Sequence, residues 1–255
     1  MNLHLVAFTT IIRKEVTRFL RIWVQTLLPS VITTTLYLII FGNFIGSRVQ
    51  DIHGFKYIDF IIPGIVMMSI ITNSYSNVVS SFFSTKFQRN IEEILVSPTP
   101  NWAVILGFTC GGVFRGLLVG MIVFLVSIFF TKIHLANILL VFIYAILTAI
   151  VFSLAGFLNA IFAKKFDDIS IIPTFVLTPL TYLGGVFYSI SSLPEFWQLM
   201  SMANPIQYMI AGFRYGFLGI SELNVWSGLA MVIVLILALF SLNLFLMKRG
   251  IGLRS

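Results

Sequence analysis

Charged residues and cysteine are both scarce in this sequence. Only 10% of its 255 residues are Asp, Glu, Lys or Arg, and 58% are hydrophobic, whereas about a quarter of the residues in a soluble domain are charged. Because this number of charged residues is too small to cover a water-exposed surface, we expect lipid to surround most of the chain. The single cysteine, Cys110, excludes an intramolecular disulfide and a cysteine-rich metal site.

Motifs for catalysis are missing as well. The three histidines are widely separated, and the carboxylate pairs Glu92-Glu93 and Asp167-Asp168 flank apolar stretches, a position typical of solvated faces. No lysine follows a glycine, so the Gly-Lys-Ser/Thr loop that cradles phosphates is absent. We therefore expect a chain that is not an enzyme, has no metal site and binds no cofactor itself.

The main feature of the sequence is a series of long apolar intervals. A helix needs roughly 20 apolar residues to cross a bilayer, and runs this long without alternation favour helices over barrel strands. The fold class predicted is an all-α integral membrane protein with one domain, 1–255, and six transmembrane helices. Their intervals, of which the third contains Arg115, are 22–47, 60–85, 102–130, 133–163, 169–194 and 223–247.

The basic residues predict how these helices are oriented. With the N-terminus inside, eleven of the 16 Lys and Arg residues, Arg254 among them, flank the cytoplasmic ends, and four, Lys132 among them, flank the opposite ends. Both termini are therefore predicted to be cytoplasmic. The bases are spread along the chain rather than clustered, so the net charge of +7 does not indicate a nucleic-acid partner.

Two segments at the cytoplasmic side are amphipathic. In 1–21, apolar residues recur every three or four positions, which predicts an interfacial helix, although a plain membrane anchor has the same pattern. In 86–100, a short helix would separate an apolar face from a charged one, which suits either a partner protein or a solvated hairpin. The residues of interest in the second segment are Arg89, Ile91, Glu92, Glu93 and Leu95.

The stretch 190–220 is too apolar for an open loop and too broken for a span. Ser192 to Glu195 resembles a capping box with Ser192 as N-cap and Pro194 in the first turn, and Asn204-Pro205 then interrupts the helix. We expect a re-entrant hairpin in the outer leaflet that serves as an outer gate, with Arg214 in its second half.

Polar residues follow one face of the second predicted span. Ser69, Asn73, Asn77 and Ser80 recur at steps of three or four, and their amides need polar partners in lipid. They either line a translocation path or join helices by hydrogen bonds. Arg115, in the third span, either faces the same path or has a structural role.

The order of these segments resembles the membrane subunit of type-2 ABC exporters. The motifs that carry the resemblance are Phe87 to Glu93, Leu95 to Pro98, Phe166 to Ser170, Pro173 to Tyr188, Leu193-Pro194, Asn204-Pro205 and Gly212 to Gly216.

Membership of that family implies a homodimer in the bacterial inner membrane that forms the path. It also implies a separate ATPase subunit that holds ATP and Mg and docks on 86–100 as a coupling helix. The alternative is a secondary transporter or channel driven by an ion gradient. Such a protein usually needs a carboxylate or histidine inside a span, and none lies in the interior of the six intervals.

Overall fold

The computed structural model of the protein describes residues 3–46, 48–131 and 134–252, and the structure there is helical with no β-strand. Residues 1 and 2 of the predicted interfacial helix, and Lys132 and Arg254 of the charge pattern, lie outside these ranges. The helices are α1 Leu3–Arg21, α2 Trp23–Tyr37 with a π-helical continuation Leu38–Ile45, α3 Tyr57–Phe87, α4 Asn90–Val96, α5 Asn101–Ile128, α6 Ile138–Phe162, α7 Asp168–Ile172, a π-helical turn Pro173–Leu177, α8 Thr178–Leu183, α9 Glu195–Met202, α10 Pro205–Leu218 and α11 Val225–Arg249.

Five segments of the described chain are long and apolar enough to cross a membrane: Trp23–Gly42, Tyr57–Phe87, Asn101–Ile128, Ile138–Phe162 and Val225–Arg249. The interval predicted as the fifth of six spans is different. Its apolar helix is Asp168–Leu183, shorter than the roughly 20 residues that a bilayer requires. The helix stops there because the backbone turns at Gly184 and Gly185, and Gly185 has a φ of 76°.

Helix α3 is the centre of the bundle. Its apolar stretch is 72% buried, whereas that of α11 is only 17% buried. Small residues on its neighbours allow close approach: a side chain at Gly112 or Gly116 of α5 would collide with Ser74 of α3, and one at Gly156 of α6 with Tyr75. The second predicted span is therefore enclosed by the other helices of the same chain.

The two ends of the bundle carry different segments. At one end, called here the α1 end, α1 reaches the last turns of α3, where Lys14 lies 3.5 Å from Thr85. The opposite end, called the α10 end, holds α10 and the start of α3, where the Arg214 guanidinium lies 3.8 Å from the ring centroid of Phe60.

The predicted capping box is wrong. Ser192 belongs to a 3₁₀ turn, and its hydroxyl donates to the Ser189 carbonyl at 2.6 Å. Helix α9 begins one residue after Pro194, which occupies the N-cap position without a side-chain cap. Proline can precede a helix without a capping partner because its fixed φ orients the first turn.

Candidate functional site

Helix α4 presents acidic and apolar side chains together at the α1 end. Arg89 precedes it with a left-handed φ of 61°, which turns the chain sharply after α3. Ile91 is buried, while Glu92, Glu93 and Leu95 are exposed. The next residue, Val96, is 88% exposed. The helix is thus anchored by Ile91 and the partly buried Ile94, and its exposed face is available to a partner.

Contacts behind α4 hold this surface in place. The Lys86 ammonium donates to the carbonyls of Ile161 and Ala163 at 2.7 and 2.8 Å, which ties the end of α3 to the end of α6. Phe166 packs edge-on against Phe87 with ring centroids 5.0 Å apart. The segments 86–96 and 161–168 are therefore held together by hydrogen bonds and an aromatic contact.

The four polar residues predicted on one face of α3 have two different environments. Ser69 and Ser80 are half-buried, and their hydroxyls donate to carbonyls of their own helix. Asn73 and Asn77 are buried, with 6% and 0% exposure. Arg115 of α5 reaches the first of these, its Nη2 lying 3.3 Å from Asn73 Oδ1. The structure thus joins Asn73 to Arg115 within one chain.

Asn77 belongs to a cluster that includes α1. Arg18 donates to the side-chain and backbone oxygens of Asn77 at 2.8 and 3.2 Å, and also to Glu15 at 3.3 Å. The Ser81 hydroxyl donates to the same carboxylate at 2.7 Å. Glu15 is fully buried. We call Glu15, Arg18, Asn77 and Ser81 the α1-end polar cluster.

This cluster fits between closely packed helices. A side chain at Gly111 of α5 would place its Cβ 2.6 Å from Cβ of Glu15, and one at Gly107 would meet Ile11 at the same distance. Glycine at these two positions therefore lets α1 lie directly on α5. The contact is a fixed packing interface and leaves no room for a ligand.

Sequence reasoning missed Glu15 and Arg18. The predicted apolar stripe of the first helix includes Leu5 and Phe19, but Leu5 is 56% exposed and Phe19 only 2% exposed. The face that packs on the bundle contains Ile11, Glu15 and Phe19, four residues apart, which is a helical spacing that could have revealed it. A carboxylate therefore does lie inside the bundle, contributed by a helix outside the predicted spans.

A small groove with both apolar and polar side chains lies between α2 and α3. Its volume is about 170 Å³. Ser30 of α2 accepts a hydrogen bond from Asn73 at 3.2 Å at its floor, and Thr33 and Thr72 are exposed at its rim. Ser69 of the predicted lining borders the same groove. Polar side chains from two helices thus share one concave surface at the depth of the membrane spans.

At the α10 end, Asn204 ties the start of α10 to α8. Its side-chain oxygen caps α10 by accepting from the Ile206 amide at 3.0 Å, and its Nδ2 donates to the Leu180 carbonyl at 2.6 Å. Pro205 is the first residue of α10. Arg214 is buried and donates to the Gly185 carbonyl at 2.6 Å. The segment before α9 and α10 therefore depends on both helices for its position.

These features describe a multi-pass helical membrane protein, and no group of three His, Cys, Asp or Glu residues suited to a metal occurs in its described part. The model of a known family, the ABC-2 type transporter, matches residues 6–218. The chain therefore belongs to the ABC-2 type transporter family, as a transport permease with several membrane-spanning helices.

Curated relatives agree with this assignment. The chain is 58% identical to the inner membrane transport permease YadH of Escherichia coli (strain K12) over 255 residues, which is 100% of both chains. It is 22% identical to nodulation protein J of Rhizobium leguminosarum bv. viciae over 232 residues, 89% of this chain and 90% of the relative. The family and these relatives support a multi-pass protein of the inner membrane.

Proposed function

We propose that this chain is the membrane subunit of an ATP-driven exporter and works as a homodimer with a separate ATPase subunit. The observation that carries the proposal is the exposed surface of α4 on a chain of the ABC-2 family. ATP and Mg would bind to the partner, since the sequence has no phosphate-binding loop. An ion-gradient mechanism is the less favoured alternative.

Helix α4 is the proposed coupling helix. Glu92 and Glu93 offer negative charges to a complementary basic surface on the partner. Leu95 and Val96, which are also exposed, offer it an apolar contact. Ile91 holds the helix to the bundle, and Arg89 sets its direction through its left-handed turn. Movement of a docked ATPase would therefore pass directly into the end of α3.

The test of the function uses the purified chain with and without a candidate ATPase subunit from the same organism, reconstituted in vesicles. The chain alone should hydrolyse no ATP, and ATP hydrolysis by the ATPase should change when the chain is added. Turnover by the single chain would contradict the proposal. Movement of the cargo driven by an ion gradient without nucleotide would favour the alternative.

The α1 end is proposed to be cytoplasmic, with both termini on that side, because α4 and most basic residues lie there. Asp168–Leu183, the fifth predicted span in chain order, is proposed to lie in the membrane with the five longer segments, even though it is short. The helices α9 and α10, which follow this segment, form the proposed outer gate. Its hairpin is held by Pro194, Asn204, Pro205 and Arg214.

The groove between α2 and α3 is the proposed border of the translocation path. Ser69 and Ser80 share a face with Thr72, and a second copy of the chain facing this groove would close it into a channel. Asn73, Asn77 and Arg115 belong to the same lining and would support it from behind. Polar groups that face a second subunit or water carry less cost than groups that face lipid.

Cysteine labelling tests this path in a Cys110→Ser background. Cysteine at position 72 should react with a membrane-impermeant thiol reagent in at least one nucleotide state. Cysteine at position 77 should stay protected until the α1-end polar cluster opens, because Asn77 is fully buried. Protection of position 72 in every state would remove the groove from the path.

A further inference from the structure

A second cavity lies at the α10 end, apart from the proposed path. Its volume is about 870 Å³, within the range of roughly 300 to 1,000 Å³ typical of ligand sites. It opens between α6, α10 and α11, beneath the connection 219–224. Its apolar wall includes Leu139, Leu140, Ile143, Ile220, Val225 and Leu229.

Two buried side chains that border the cavity each have one polar atom without a partner in the described chain. Gln207 is 2% exposed and Arg214 is 5% exposed, and both border the cavity. Within the described chain, neither Gln207 Oε1 nor Arg214 Nε forms a hydrogen bond. Unpaired buried groups are costly. Because these two border a large cavity, a bound molecule can supply the missing partners. The first needs a donor, and the second needs an acceptor.

The charges around the cavity are of both signs. The Arg214 guanidinium lies on one wall, held against Phe60. The Glu222 carboxylate lies on another wall, where it accepts hydrogen bonds from the Ser189 hydroxyl and, at 3.1 Å, from the Ile190 amide. An anionic ligand would meet the carboxylate and a cationic ligand would meet the guanidinium. A zwitterion can satisfy both groups.

The rim of the cavity has the character of a membrane interface. Trp226, at the start of α11, is 72% exposed, and Leu139, at the start of α6, is 66% exposed. Tryptophan is enriched at the level of lipid headgroups. A ligand could therefore leave its apolar part in the bilayer between these helices while its polar part enters the cavity.

We propose that this cavity binds one zwitterionic phospholipid whose headgroup carries a primary ammonium, of the phosphatidylethanolamine class. The phosphate accepts from Arg214 Nε. The ammonium donates to Gln207 Oε1 and faces Glu222. The acyl chains lie along the apolar wall of α6 and α11. The cavity lies apart from α4 and from the groove between α2 and α3, so a failure to bind lipid would leave the observations behind the proposed function unchanged.

Native mass spectrometry of the delipidated, detergent-purified protein tests the proposal with three lipids that have identical acyl chains. Phosphatidylethanolamine should bind at one molecule per chain. Phosphatidylcholine, whose quaternary ammonium has no N–H, should bind roughly five- to tenfold more weakly, the effect of one lost hydrogen bond. Phosphatidylglycerol, which lacks the cation, should be weakened as well. Equal affinity for all three would overturn the proposal.

Two variants locate the site. Gln207→Leu should remove the preference for phosphatidylethanolamine over phosphatidylcholine, whereas Gln25→Leu, an exposed glutamine of α2, should keep it. Leu229→Trp places a larger side chain in the apolar part of the cavity. It should reduce the binding of all three phospholipids while Gln207 is still present. Unchanged lipid selectivity in folded Gln207→Leu protein, or unchanged binding in folded Leu229→Trp protein, would place the lipid elsewhere.

Discussion

The α1-end polar cluster and the α10-end cavity both hold charged side chains inside the helix bundle, but they do so differently. In the cluster, Arg18 donates to both Glu15 and Asn77, and glycines on α5 let α1 pack directly on that helix. Arg18 Nε and Asn77 Nδ2 are also unpaired in the described chain, so it is the close packing that sets the cluster apart. In the cavity, Arg214 and Gln207 keep unpaired atoms beside about 870 Å³ of open volume.

The difference separates two uses of buried polarity. A closed polar cluster resists rearrangement, because moving one member leaves another charge without a partner. Such a cluster can transmit the position of α1 to α3 and α5 as a unit. An open polar cavity instead recognises a small molecule, since the missing partners come from the ligand.

The largest effect is expected at the wall between α6 and α10. A side chain at Gly212 would place its Cβ 2.0 Å from the ring of the fully buried Tyr144. Gly212→Val should therefore destabilise the protein by about 3 kcal/mol, at the upper end of overpacking effects. The neighbouring Ala211 borders the cavity, so Ala211→Val should change stability much less. Thermal unfolding in detergent measures both.

Equal losses in these two variants would show that the cavity side of α10 is as tightly packed as its Tyr144 side. In that case the contrast between the closed cluster and the open cavity would not hold.

The cluster is tested by Glu15→Leu. Arg18 would lose its carboxylate and Ser81 its acceptor. Removing one member of a fully buried pair costs about 3 to 5 kcal/mol, and we expect about 2 kcal/mol here because the Arg18 side chain is 29% exposed. Glu92→Leu removes an exposed carboxylate and is the matched control. Thermal unfolding that is the same for both variants would mean that the cluster is not a stabilising unit.

The smallest effect on stability is expected at α4. The double variant Glu92→Arg, Glu93→Arg changes two exposed residues, so the free energy of unfolding should fall by less than about 0.5 kcal/mol. Transport should nevertheless be lost, because docking depends on complementary charge. Asp51→Arg reverses one exposed charge at the α10 end, outside the proposed gate, and should leave transport intact. Normal ATP-driven transport by the α4 variant would remove the coupling role from this helix.

Much of the helical framework follows from local sequence. Asn204-Pro205 separates α9 from α10 as predicted, since proline has no amide hydrogen for the preceding helix and asparagine caps the next one. The residues proposed for coupling lie together on and beside α4 because they are neighbours in sequence. The fifth interval shows the limit: its charge-free length overstates the helix, which ends at the Gly184-Gly185 turn.

The face that a helix buries was less predictable than the helix itself. The polar face of α3 divides into buried Asn73 and Asn77 and half-buried Ser69 and Ser80, because α1, α2 and α5 cover only part of it. The apolar pattern of the first helix did not reveal the burial of Glu15 for a related reason. Its partner Arg18 is on the same helix, but Ser81 lies on α3, which only the packed bundle brings near Glu15.

The sequence by itself determined that the protein is helical, lies in a membrane and has the segment order of an ABC-2 transporter. Those properties depend on apolar length, on charge and on short motifs, which are local. Only the tertiary structure decided that Arg18 meets Asn77 and that Gln207 and Arg214 share a cavity with Glu222. Such contacts depend on the space left where distant helices meet, and no local pattern in the chain encodes that space.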